Sequence, residues 1–282
     1  MKADPQFSNL PKSFWAAVRT LSQEIGYTVR GESQVKIPTI GEIRRAFDGL
    51  QLNPEHLGDA EKLTDLAKTL LAYYEYRAHV LNNFVEPRLM NAKRAKAEFN
   101  RLKKKLKPSC PIPMNKQKGT KKAPAYFTGI VNMLIEAGSN GFPCDYDPRK
   151  LTTITREGAP LRTLARRVDG AFPGAVNPVA IWEIKEYYYT TTFGSRVADG
   201  VYETLLDGME LEELREHEEV TVLHYLMLDD HYTWWECGKS YLCRITDMLQ
   251  MGYTDEVLFD YEVVERLPIL VKNWVDLATK RK

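Results

Sequence analysis

The spacing of apolar residues predicts that the first part of the chain is mostly helical. Residues Phe14, Val18, Leu21 and Ile25 recur at intervals of three or four, which places them on one face of a helix. The same spacing recurs in three later stretches. The predicted helices of this part are residues 13–27, 39–50, 58–86 and 88–106.

The pattern changes at residues 107–124, which contain four prolines and many lysines. Such a composition is typical of a loop or linker, because proline lacks a backbone donor and breaks both helices and strands. We therefore divide the chain into three parts, which are a helical region, a basic proline-rich linker and a second folded part. Their bounds are residues 1–107, 108–122 and 123–282.

The second part alternates between helical and strand-like patterns, so we predict an α/β (α+β) fold with a central mixed sheet flanked by helices. The order of its first elements is helix, three strands, helix, strand. Two further β-prone runs, the first of them interpreted as a hairpin with buried thiols, precede a last helix. The predicted elements are residues 125–138, 150–157, 161–172, 178–189, 194–217, 219–228, 233–243, 257–264 and 268–280.

The most strand-like stretch, "IWEIKEYYY" at residues 181–189, contains an acid and a base two residues apart. Side chains alternate across a strand, so Glu183 and Lys185 share one face while Ile184 points to the other. Burying such charges costs several kcal/mol for each ion unless they are paired. E-x-K alone is more often found on a surface strand pair than at a site, but the apolar residues on both sides of this triplet favour a site here.

A second carboxylate is expected beside this pair. The turn at residues 173–178 would form a hairpin that brings Asp169, near the end of the preceding strand, next to Glu183 and Lys185. Two carboxylates and the backbone carbonyl of Ile184 are oxygen ligands that suit Mg²⁺. Bound metal would activate water, and Lys185 could orient or deprotonate that water or stabilise charge on a phosphate.

The residues "VDGAF…IWEIKEYY" resemble the signature of the PD-(D/E)XK nuclease superfamily. Asp169 matches the first acid, and Glu183, Ile184 and Lys185 match the (D/E)XK triplet, while Val168 stands where the family name has proline. The resemblance implies the core order helix, three antiparallel strands, helix, strand. It also implies a homodimer that cuts double-stranded DNA, most like a type II restriction endonuclease. Many members carry a further acid on the first core helix, where Glu136 is the candidate; the alternative is a solvated acid at a helix end.

A basic block precedes this core, and Glu98 is the only acid between residues 88 and 122. The whole chain has a net charge of only +1, so the positive charge is concentrated in this block. Such a concentration indicates a binding surface for a polyanion such as DNA. The alternative is a solvated helix face with a linker. The candidate DNA-binding residues of the block are Lys103, Lys104, Lys105, Lys116, Lys118, Lys121 and Lys122.

Three further residues are candidates for phosphate contacts. Ser195 and Arg196 follow the triplet at a predicted helix N-terminus, which is a favourable place for an anion. Arg167 shares a face of the predicted strand with Asp169, because the two residues are two positions apart. Ordinary turn and capping chemistry at the strand ends explains each of these residues equally well.

Other features narrow the class of protein. No run approaches 18 apolar residues, so we expect no membrane helix, and four cysteines without a CxxC pair indicate a reduced, cytoplasmic protein. No GxxxxGK[ST] loop is present, so no nucleotide cofactor is expected. The spacing of Cys237 and Cys243 fits no closed zinc site.

These observations predict a Mg²⁺-dependent, sequence-specific endonuclease in which Asp169, Glu183 and Lys185 are the catalytic residues. A second hypothesis keeps the nuclease but makes it a structure-specific repair enzyme or a subunit of a defence complex. A third is a non-catalytic DNA-binding module on a nuclease fold.

Overall fold

The structure, a computed structural model, describes residues 1–29, 31–59, 62–115, 123–189 and 194–281. None of the helices within these ranges combines the length and apolar character needed to cross a membrane. The helices are α1 (Lys12–Ile25), α2 (Ile40–Gly49), α3 (Asp65–Val80), α4 (Ala92–Leu106), α5 (Tyr126–Gly138), α6 (Ser195–Glu218), α7 (Lys239–Gln250) and α8 (Glu262–Lys280). The strands are β1 (Thr153–Arg156), β2 (Ala159–Thr163), β3 (Gly170–Phe172), β4 (Ala180–Lys185), β5 (Leu223–Leu228) and β6 (Glu256–Phe259).

The central sheet has four strands in the order β3-β4-β5-β6. β3 runs antiparallel to β4, with Gly170 opposite Trp182, whereas β4, β5 and β6 are parallel. Asp145 adds an isolated antiparallel bridge to Ala171 on the outer side of β3. The prediction of a mixed sheet flanked by helices is confirmed.

Helices cover both faces of this sheet, because neighbouring residues of its strands point to opposite sides. On one face Trp182 packs in a buried cluster with side chains of α5 and α8, and its ring stacks on Trp274 at a centroid distance of 5.5 Å. On the other face α6 and α7 pack against Leu226, Leu228 and Phe259. α4 packs on the α5–α8 side, although the sequence groups it with the N-terminal region.

The prediction of a β-hairpin at residues 233–243 is wrong. These residues form a single π-helical segment, Tyr232–Cys237, followed by the start of α7. Parallel strands cannot be joined by a tight turn and need a crossover, usually a helix. Since β5 and β6 are parallel, α7 is that crossover, and its apolar positions face the sheet.

Two other predicted strands have different bounds in the structure. Residues 161–172 are not one strand: β2 ends at Thr163 and pairs with β1 in a separate two-stranded sheet, and residues 164–169 are irregular before β3 begins. Buried Leu164 and Val168 explain the apolar pattern of that segment. The strand predicted at residues 257–264 is shorter, because β6 ends at Phe259 and α8 begins at Glu262.

A buried ion pair joins the N-terminal helices to the second part of the chain. Arg77 on α3 is 1 % exposed, and its Nη1 lies 3.0 Å from Oδ1 of Asp247 on α7. The hydroxyl of Tyr73 donates to the same Asp247 oxygen at 2.5 Å, and Arg77 also contacts Ser22 at 3.3 Å. The pair therefore places a charged interaction, fully enclosed by protein, between the two parts.

We expect Arg77→Met to lower the free energy of unfolding by about 3 to 5 kcal/mol, because it leaves the Asp247 carboxylate buried without its cation. Urea unfolding at pH 7 measures the change. The matched control is Lys68→Met on α3, since Lys68 is 62 % exposed in its pair with Asp65, and an exposed pair contributes about 0 to 1 kcal/mol. Equal decreases in the two variants would contradict the importance of the buried pair.

Candidate functional site

The antiparallel pairing of β3 and β4 places Asp169 beside the residues of the E-x-K triplet. The Asp169 N–H donates to the Trp182 carbonyl at 3.1 Å, and the Ile184 N–H donates to Asp169 Oδ2 at 2.8 Å. Gly170 permits this close approach, because a Cβ there would lie 2.1 Å from the Trp182 ring. The predicted neighbourhood of Asp169, Glu183 and Lys185 is therefore present in the structure.

Glu183 and Lys185 point from β4 towards α6 and are both buried. The Lys185 Nζ lies 2.9 Å from Glu183 Oε2 and 2.8 Å from Oε2 of Glu203 on α6. α6 lies close to β4 because Gly200 carries no side chain, and a Cβ there would be 3.2 Å from the Lys185 stem. The ammonium is thus held between a strand carboxylate and a helix carboxylate.

Arg166, from the irregular segment before β3, completes the arrangement. Its guanidinium binds Glu183 through two atoms, Nη1 at 2.9 Å from Oε1 and Nη2 at 3.1 Å from Oε2. It also contacts two acids of α6, Asp207 at 2.7 Å and Glu203 at 3.3 Å. Because these two acids are one helical turn apart, they face the sheet together. The sequence analysis did not identify Arg166, Glu203 or Asp207.

We call these six side chains the charged cluster: Asp169, Glu183, Glu203 and Asp207 with Arg166 and Lys185. Among the described residues it holds four carboxylates against two cations, so it has an excess of two negative charges when all are ionised. Asp169 lies at its mouth, where its side chain is exposed to solvent. An excess of negative charge near an opening favours the entry of a cation.

The cluster shifts the pKa values of Asp169 and Glu183 in opposite directions. Desolvation of the carboxyl by surrounding protein atoms, and then the charge of Glu183, raise the pKa of Asp169 to about 7, against the opposing effect of Lys185. Burial alone would also raise the pKa of Glu183, but Lys185 and Arg166 outweigh it and hold that pKa below its ordinary value. Burial opposes a charge on Lys185, yet Glu183 and Asp169 prevail and raise its pKa, so it is an ammonium.

The oxygen donors at the mouth suit a hard cation. Backbone N–H and C=O of one strand residue point to the same side, so the Ile184 carbonyl faces the β3 edge where its N–H meets Asp169. Together with carboxylate oxygens of Asp169 and Glu183, this gives the oxygen-only donor set that Mg²⁺ prefers. In the described part of the chain no three His, Cys, Asp or Glu side chains are already arranged as a metal centre.

Glu136, the further acid proposed for the metal, is not brought to this cluster. It lies on α5, which packs against the sheet face of Trp182, whereas Glu183 and Lys185 point to the opposite face. Its carboxylate instead accepts the backbone N–H of Ser109 at 3.0 Å. The structure therefore gives Glu136 a role in fixing the chain after α4.

The candidate DNA-binding residues lie on several elements. Lys103, Lys104 and Lys105 are exposed in the last turn of α4, and Arg167 is exposed in the irregular segment, not on a strand face as expected. The described part of the chain leaves out four of the other candidates, Lys116, Lys118, Lys121 and Lys122. It includes the backbone of Ser195 and Arg196 at the start of α6 but not their side chains.

Buried acids fix the chain immediately beyond β4. Asp229, directly after β5, accepts the backbone N–H groups of Tyr187 at 2.5 Å and Tyr188 at 3.1 Å. Asp260, directly after β6, accepts the Tyr188 hydroxyl at 2.6 Å and the backbone N–H of Met90. These acids therefore hold the end of the site strand against the carboxyl edge of the sheet.

Burial raises the pKa of Asp260 from 3.8 to about 8, with Asp230 adding to it and Tyr188, Met90 and Arg94 opposing it. A raised carboxyl pKa means that the folded state holds the proton more tightly. The contribution to stability is thus complete below the ordinary value and is lost as the pH rises towards 8.

We expect the unfolding free energy of the wild type, relative to Asp260→Asn, to fall by about 2 to 4 kcal/mol between pH 5 and pH 8. The asparagine carries no charge at either pH, so the variant isolates the carboxyl. Urea unfolding at both values measures the difference. Exposed Asp147→Asn is the control and should show no such trend; a pH-independent difference for Asp260→Asn would contradict the burial argument.

Comparison with known families gives two matches. Residues 1–84 match a model described as Domain of unknown function (DUF7690). Residues 90–274 match a model described as Domain of unknown function (DUF7687). No curated protein and no solved structure matches the chain. Because the second match covers more than half of the chain, the protein belongs to the family described as Domain of unknown function (DUF7687).

Proposed function

We propose that the protein is a Mg²⁺-dependent endonuclease that hydrolyses phosphodiester bonds in double-stranded DNA. The observation that carries the proposal is the hydrogen bond from the Ile184 N–H to Asp169, which places two carboxylates and the Lys185 ammonium at one open edge of the sheet. This arrangement agrees with the resemblance of the sequence to PD-(D/E)XK nucleases. A sequence-specific restriction enzyme is the form of this activity that we propose.

Asp169, Glu183 and the carbonyl of Ile184 would hold the cation. A divalent ion bound there would supply Lewis acidity towards the phosphate and lower the pKa of a water molecule. The exposed position of Asp169 leaves room for the phosphodiester at the mouth of the cluster. In the reaction a bond from water oxygen to phosphorus would form and one phosphorus–ester oxygen bond would break. The attacking water would lose one proton to solvent, and the released alkoxide would take one proton from solvent.

The charge state of Lys185 without metal supports one of its two proposed roles. Since its pKa is raised by Glu183 and Asp169, Lys185 remains an ammonium and is a poor general base. It can instead donate hydrogen bonds and balance the negative charge that develops on the phosphate oxygens. We therefore assign Lys185 to charge stabilisation rather than to removal of a proton from water.

The basic surface of α4 supports DNA as the substrate. Apart from buried Glu98, which pairs with Arg101, this helix carries no acid, and its lysines project into solvent. Each lysine placed on a phosphate releases counterions and so strengthens binding at low salt. We further propose, from the resemblance alone, that the protein acts as a homodimer. Its four cysteines without a CxxC pair support a location in the cytoplasm.

We expect purified protein with Mg²⁺ to cut unmodified phage DNA into discrete fragments. Asp169→Asn and Lys185→Gln should each lower the cleavage rate by about 10²-fold or more, because each removes a group that meets the reacting phosphate or its cation. Gel analysis of fragments over time measures the rate. EDTA should abolish cleavage.

Matched controls for this experiment are Asp147→Asn and Lys150→Gln, exposed residues of the same types before β1. Both should cut as fast as the wild type. No cleavage of several DNAs, with DNA binding intact, would reject the nuclease and favour the DNA-binding module. Random rather than discrete fragments would reject a restriction enzyme and favour the repair or defence nuclease.

Replacing Lys103, Lys104 and Lys105 together by alanine should weaken binding to duplex DNA. The slope of log K against log salt should become shallower by up to about 0.9 for each phosphate that these lysines neutralise. Fluorescence anisotropy over a series of salt concentrations measures it. A control with the same change in net charge replaces exposed Lys12, Lys68 and Lys272. Equal weakening in both triple variants would assign the effect to overall charge and not to α4.

A further inference from the structure

Glu183 is the most heavily occupied acid of the charged cluster. Its two oxygens accept hydrogen bonds from Arg166 Nη2 at 3.1 Å, from Lys185 at 2.9 Å, and from the Asp169 backbone N–H at 3.2 Å, which is shared with the Trp182 carbonyl. Arg166 Nη1 adds an ion pair with Oε1 at 2.9 Å. A carboxylate offers about four lone-pair positions, so these contacts surround both oxygens. A divalent ion can bind Glu183 only if one of the donors leaves.

The donors differ in how easily they can leave. The Asp169 N–H belongs to the backbone beside β3, and Lys185 is fixed on β4 with its stem against Gly200 of α6. Arg166 is a long side chain on an irregular segment, 22 % exposed. It is therefore the donor that can move with the least change to the sheet.

Arg166 also has acceptors to which it can remain bound. Its Nη1 lies 2.7 Å from Asp207 and its Nη2 lies 3.3 Å from Glu203, both on α6. The second Asp207 oxygen, Oδ1, is buried and has no hydrogen-bond partner among the described residues. A guanidinium that leaves Glu183 can thus shift towards α6 and keep two of its charge partners, which removes the usual penalty for breaking a buried pair.

We infer that Arg166 is the resident cation of the cluster and that a divalent ion binds by displacing it from Glu183. This inference rests on the proposed function, because it concerns the same metal site. It makes Arg166 a positioning residue that holds Glu183 in place without metal and lowers the affinity for metal. In the metal-bound state the displaced guanidinium would lie nearer α6, against Asp207 and Glu203.

The test measures metal affinity directly, using Mn²⁺ titrations of the full chain followed by the electron paramagnetic resonance signal of free Mn²⁺. Arg166→Met removes the competing charge and should raise the affinity by about tenfold or more, which corresponds to about 1.4 kcal/mol. Arg166→Lys keeps the charge but cannot bind Glu183 through two atoms, so its affinity should fall between those of Arg166→Met and wild type. The Mn²⁺-dependent rise in thermal stability should follow the same order.

The adjacent exposed Arg167 provides the matched control, and Arg167→Met should bind Mn²⁺ like the wild type. Asp169→Asn should bind more weakly, which locates the ion at this cluster. If Arg166→Met does not fold, Arg166→Lys decides alone, since affinity above that of the wild type supports displacement.

A wild-type affinity equal to or above that of both Arg166 variants would overturn the inference while leaving the metal site of the proposed function intact. No Mn²⁺ binding by the wild type or by either variant would overturn both together. Binding by the variants alone would support the inference, because it would mean that Arg166 excludes the ion in the wild type.

Discussion

The ionised carboxylate of Glu183, fully buried on β4, is the constraint on which the candidate site depends. A charge in that position is stable only with cations around it, so Arg166 and Lys185 must both reach it. Their positions in turn require α6 to lie close to the strand and supply Glu203 and Asp207 as second partners. The segment before β3, β4 and α6 thus each supply a charged partner around one buried carboxylate.

Part of this site could be predicted from sequence, because it depends on local rules. The two-residue period of a strand puts Glu183 and Lys185 on one face, and a short antiparallel connection places Asp169 beside them. Arg166 could not be found this way. It lies on an irregular segment, where side chains do not alternate between two faces as they do in a strand. Applying strand alternation there pointed to its neighbour Arg167 instead. The role of Glu203 could not be predicted either, because α6 contains many acids and its sequence does not indicate which of them faces the sheet.

The same limit explains the errors in the fold. The class of the fold follows from periodicity, but residues 233–243 contain three aromatic side chains, which are common in strands. Their helical state is set by the parallel pairing of β5 with β6, which demands a crossover and cannot be seen locally. Leu164 and Val168 likewise gave their segment a strand-like pattern of apolar residues. In the structure both are buried in a small apolar cluster beside α6.

The contact between Arg77 and Asp247 spans 170 residues of sequence and joins segments that match two different family models. During synthesis the guanidinium therefore emerges from the ribosome long before its carboxylate. At about 5 to 20 residues per second, the interval is roughly 10 to 30 s. Through that time Arg77 and the adjoining Tyr73 lack the carboxylate with which they pair in the folded protein.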